Sequence, residues 1–114
     1  MQIKKTYLAM NPGLLYDEIK DFVKKQGGIL VEAKMAYYSI PTDSSAHIAR
    51  GTLIFKSPGT TEKECIRAHV IGSAKTEVKL IIDIDEGLFK EPQISALIGD
   101  LDYVFGNYEK QDQE

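Results

Sequence analysis

Cysteine is almost missing from this chain. Cys65 is the single one in 114 residues, which excludes an internal disulfide framework and a four-thiolate metal site within one chain. Long apolar runs are missing too. Nothing approaches the length of a transmembrane helix, so no membrane span is expected. The first ten residues carry Lys4 and Lys5 but no apolar core long enough for a signal peptide. With the lone thiol, this points to a reducing, cytoplasmic setting. An excess of positive charge is also lacking. The formal net charge is −3, whereas a dedicated nucleic-acid binder usually has a basic balance. A local basic patch stays open. Internal repeats and low-complexity segments are missing.

The common catalytic signatures are missing as well. There is no G-x-S-x-G, no H-E-x-x-H and no dinucleotide-binding glycine pattern. Gly72-Ser73-Ala74-Lys75-Thr76 resembles a phosphate loop only faintly. Ala74 and His69 stand where that loop needs glycines, and a strand pattern follows where a helix should begin. Cys65 and His69 share one face of a strand pattern, but positions i and i+4 of a strand lie about 13 Å apart. They cannot ligate one ion unless a bulge intervenes. Asp83 and Asp85 stand about 7 Å apart on one strand face. They could hold a divalent cation, yet strand ends are often acidic because they reach water. Asn11-Pro12-Gly13 could offer helix amides to an anion, though a helix cap already explains these residues. No metal, no cofactor and no catalytic residue is assigned, and the chain leans away from being an enzyme.

What is present is periodicity. Pro92 to Tyr108 carries Ile94, Leu97, Ile98, Leu101, Val104, Phe105 and Tyr108 at steps of three and four, which predicts an amphipathic helix that needs a surface to cover. The rest of the chain supplies one. Residues 2–10 form a strand pattern. Asn11 then caps a helix opened by Pro12. Leu15, Ile19, Phe22 and Val23 make its apolar stripe, and Gly27-Gly28 stops it. Ile29 to Ile40 predicts a second strand, with Ile29, Val31, Ala33, Met35 and Tyr37 inward. After a loop at Pro41 to Ser45, Ala46 to Lys56 predicts a third, with Ala49, Gly51, Leu53 and Phe55 inward. A turn spans Ser57 to Lys63. Glu64 to Ile71 and Thr76 to Asp85 predict a hairpin that pairs Ala68 with Leu80 and Ile66 with Ile82. The expected fold class is α+β: a two-layer sandwich in β-α-β-β-β-β-α order, with a five-stranded antiparallel sheet and both helices on one face. A single domain covers 1–109, and 110–114 form a frayed tail.

This order resembles one half of the TATA-box-binding protein, and also a shortened helix-grip lipid-binding domain. The resemblance covers almost the whole chain as topology, and no motif supports it. Phe55 is the only phenylalanine on the sheet, and it is placed inward, away from a minor-groove wedge. No functional residue is carried over from either family.

Two surfaces could carry function. The outer sheet face gathers Arg50, Arg67, His69 and Ile81, with lysines and tyrosine around them. That composition suits an interface, and equally a solvated face. The inner face has small residues at Ala33, Ala49, Gly51 and Ala68. Either the helices pack closely there, or Gly51, Ala68 and Leu101 line a cavity for an apolar small molecule. The first expectation is a non-enzymatic protein-interaction or binding module acting as a homodimer, centred on Arg50, Arg67, His69 and Ile81. The second is a lipid-like ligand carrier or sensor. Nucleic-acid binding through the sheet face trails as a third.

Overall fold

A computed structural model describes residues 1–40, 43–59 and 63–110. Parts of the loop at 41–45, the turn at 57–63 and the tail at 110–114 lie outside these residues. The strands are β1 (Gln2–Leu8), β2 (Ile29–Ile40), β3 (Asp43–Lys56), β4 (Glu64–Gly72) and β5 (Glu77–Ile84). The helices are α1 (Pro12–Lys25) and α2 (Glu91–Phe105). The strands form one antiparallel sheet in the order β1-β5-β4-β3-β2. The fold class is therefore the α+β arrangement that the alternating patterns predict.

α1 starts where the sequence places it. The Asn11 side chain accepts hydrogen bonds from the amides of Gly13 (2.8 Å) and Leu14 (3.2 Å), and Pro12 has no amide to satisfy. Lys24 and Lys25 lie in the last turn, where the helix dipole favours cations. Gly27 follows with φ +98°, a conformation that costs glycine little. The buried face of α1 is wider than the predicted stripe. It adds Pro12 and Tyr16 to Leu15, Ile19, Phe22 and Val23.

α2 lies over β1 and against α1. Phe105 meets the Tyr7 ring at 6.0 Å and the Phe22 ring at 6.3 Å. The Gln93 side-chain amide donates to the Gln26 carbonyl at 2.6 Å. Ile94, Leu97, Leu101 and Phe105 are buried as expected, but Val104 and Tyr108 are half-exposed. The predicted stripe runs too far at Tyr108 because the helix ends at Phe105 and a 3-10 turn, Gly106–Tyr108, follows. Val104 is helical but lies to the side of the face that Ile94, Leu97, Leu101 and Phe105 bury. That turn swings the chain back along β1. Tyr7 pairs with Glu109 in an isolated bridge, and the Lys110 amide donates to the Thr6 carbonyl at 2.7 Å. Lys110, assigned to the tail from sequence, is thus held by backbone bonding.

Three further expectations change. The inward set of β2 is shifted at its start by an irregularity between Leu30 and Glu32. Leu30 packs against the core, while Ile29 and Val31 are exposed. A bulge inserts one residue and so inverts the alternation across it. The β4–β5 hairpin pairs Ala68 with Ile82 and Ile66 with Ile84, two residues away from the predicted register. A two-residue slip keeps every side chain on its face, so the apolar pattern could not separate the two registers. The turn decides it: Gly72, at φ +151°, sits opposite Val78. Finally, Cys65 is buried in the core instead of lying on the open face. A register shift between Phe55 and Lys56 leaves it without a partner on β3, and the Asp85 amide bonds to its carbonyl at 2.9 Å.

Candidate functional site

The two sides of the sheet differ. Buried side chains from β1, β3, β4 and β5 meet the helices on one side. The other side carries the alternate residues, and the register arranges them in rows across the strands. One row runs Glu32, Ile54, Arg67, Asp83, Gln2. The next runs Lys34, Thr52, His69, Ile81, Lys4. The third runs Ala36, Arg50, Ile71, Lys79, Thr6.

The four residues singled out from sequence share this face but do not form one cluster. His69 and Ile81 are direct cross-strand partners. The His69 ring is 3.3 Å from the Thr52 hydroxyl. Arg50 and Arg67 flank that row on opposite sides. Arg67 is already engaged: it donates twice to the Glu64 carboxylate, at 3.1 and 2.9 Å, and stands opposite Asp83. The hydrogen bond from Arg67 holds the Glu64 carboxyl below its ordinary pKa, and the same contact raises that of the guanidinium.

The second and third rows are different. They hold Lys4, Lys34, Arg50 and Lys79, with His69 between them and no carboxylate. Lys34 leans 3.4 Å from Glu32 in the neighbouring row. Lys4, Arg50 and Lys79 have no ion-pair partner among the described residues. Ile71 and Ile81 lie within this basic belt and are half-buried. Lys4 and Ile71 are the members that sequence reasoning missed. The alternation of β1, with Ile3 and Tyr7 buried, is the signal that would have placed Lys4 outward.

The inner-face residues behave differently. Ala68 and Leu101 are buried, whereas Ala33 is exposed. The place above Gly51 is filled. A Cβ there would lie 2.7 Å from the Tyr16 ring and 3.0 Å from the Met35 methyl. A small residue on the sheet has been met by a large one on the helix, as dense interiors require.

The other sequence candidates are also occupied. Burial raises the pKa of the Cys65 thiol, which disfavours a reactive thiolate. Asp83 accepts a hydrogen bond from Gln2 at 2.7 Å, and Asp85 accepts one from the Gly87 amide at 2.9 Å. Asn11 takes the first free amides of α1 for itself. A cleft of about 310 Å³ does open beside it, lined in part by Tyr37, His47 and Lys75. Among the described residues, no group of three histidine, cysteine or acidic side chains could hold a metal ion. No helix among them is long and apolar enough to cross a membrane. No protein-family model, no curated protein and no solved structure matches this chain.

Proposed function

We propose that this protein is a non-enzymatic binding module that takes an acidic protein surface on its outer sheet face. The supporting observation is the carboxylate-free belt of Lys4, Lys34, Arg50 and Lys79, with Ile71 and Ile81 set into it. Cations on one face, three of them (Lys4, Arg50 and Lys79) without an ion-pair partner among the described residues, steer an acidic partner into encounter and fix its orientation. The isoleucines give apolar area that closes on docking. A nucleic-acid backbone is the lesser reading, because the chain's formal net charge is −3 where such binders usually have a basic balance, and the isoleucines match apolar side chains better than phosphates. No catalytic step is assigned.

The test is fluorescence anisotropy with two probes, a peptide rich in glutamate and leucine and a single-stranded oligonucleotide. The peptide is expected to bind, with affinity falling as salt rises. The double reversal Arg50→Glu with Lys79→Glu should weaken it by about tenfold or more. Tighter binding of the oligonucleotide would move the reading to nucleic acid. Peptide binding that survives the double reversal would exclude the belt.

A further inference from the structure

The two edges of the sheet are unequal. Antiparallel sheets protect open edges with charges, prolines, bulges or a covering segment. β1 has such protection: Lys4 and Lys5 lie within it, and Glu109 and Lys110 run alongside it. β2 ends the sheet on the other side. Its first part has a bulge at Val31, then Glu32 and Lys34. From Met35 to Ser39 it has no charge, no proline and no glycine, and Tyr37 and Tyr38 are 60% and 54% exposed. An open hollow of about 560 Å³ lies beside this edge, mostly on the outer face: Lys34, Ala36 and Tyr38 line it with Arg50 and Thr52 of β3, and it reaches Ala33 and Met35.

We infer that the β2 edge pairs with the β2 edge of a second copy, antiparallel about a two-fold axis at Ala36, joining two sheets into one. The self-pairing geometry narrows the register. Inner residues must face inner residues, and outward amides must face outward carbonyls, so the axis has to pass through a residue rather than between two. The ladder with β3 runs without interruption only from Glu32 to Ser39, which bounds the usable segment. An axis at Lys34 would oppose that lysine to its own copy, a repulsive pair. One at Met35 would oppose Lys34 to the Ala36 methyl, with no partner for its charge, and one at Tyr37 would oppose Lys34 to Ile40, past the uninterrupted ladder. An axis at Ala36 opposes Ala33 to Ser39, Lys34 to Tyr38 and Met35 to Tyr37, each twice. The lysine then lies near an aromatic face, the methionine sulfur beside a second ring, and only a methyl occupies the axis. The chain thus supplies both halves of a complementary ladder, which is why the occupant is a second copy and not an arbitrary extended peptide. This inference stands apart from the outer-face reading, because backbone groups of the edge carry it.

The test is native mass spectrometry with light scattering, across a wide range of concentration. A concentration-dependent dimer is expected. Ala36→Lys should raise its dissociation constant by about tenfold or more through opposed like charges. Asp21→Lys, at an exposed position of α1 away from both faces of interest, should leave it unchanged. Ala36 is exposed, so circular dichroism should show both variants folded. As a second probe, Ala36→Cys should form a disulfide-linked dimer under oxidised glutathione, and Ala33→Cys should not. A monomer at every concentration would overturn the proposal. So would a dimer indifferent to Ala36→Lys, or cross-linking through position 33 in preference to 36.

Discussion

Gly51 and Tyr16 are one packing unit split between sheet and helix. The sequence displays the small residue but not its filler, because Tyr16 lies beside the apolar stripe and its hydroxyl disguises its role. Gly51→Ala forces a methyl into the Tyr16 ring, with the Met35 methyl on the other side. Overpacking of this kind costs about 1–3 kcal/mol, and the melting temperature should drop accordingly. Tyr7 presents the opposite case. It is fully buried, and its hydroxyl has no hydrogen-bond partner among the described residues. An unsatisfied buried hydroxyl is unfavourable, so Tyr7→Phe should leave stability unchanged or raise it by about 1 kcal/mol in chemical denaturation. A loss of more than that would reveal a partner for the hydroxyl, such as a buried water.

At the scale of elements, legibility follows physical redundancy. α1 was legible to the residue because three signals coincide at its start: a capping side chain, a proline and an apolar repeat. Asn11→Ala removes the acceptor for two amides. It should cost about 1 kcal/mol, read as a lower melting temperature with unchanged helix content at low temperature. The strands were legible as faces and less so as registers. The β4–β5 slip conserves side-chain direction, and the bulges at Val31 and Cys65 leave no mark in composition. The end of α2 was missed for another reason. Its apolar repeat continues to Tyr108, but the demand for pairing along β1 wins, and Tyr108 is left half-exposed. On the outer face, the basic character was legible from alternation alone. Which cations remain unpaired was not, since the Arg67–Glu64 contact depends on side-chain geometry.

For the whole molecule, the contacts around β1 set an alkaline limit. Burial, followed by the nearby charges of Glu109 and Asp102, raises the pKa of the Tyr7 phenol. The Lys5 ammonium is also raised, although burial opposes it, because Glu109 and Asp102 bind it at 3.1 and 3.2 Å. Both groups keep their protons more tightly in the fold than in the unfolded chain. Their stabilisation is complete below the unfolded values of about 10 for tyrosine and about 10.4 for lysine, and declines as pH rises through the folded ones. Denaturant midpoints should therefore fall above about pH 10, and Tyr7→Phe should soften that fall. The same strand carries a consequence for synthesis. Gln2 is hydrogen-bonded to Asp83, 81 positions further along the chain, and among the described residues β1 has beside it only β5 and the brief bridge at Glu109. On the ribosome, β1 therefore emerges long before anything it can pair with. It must wait unpaired, with Lys4 and Lys5 keeping it hydrated, until β5 has cleared the exit tunnel.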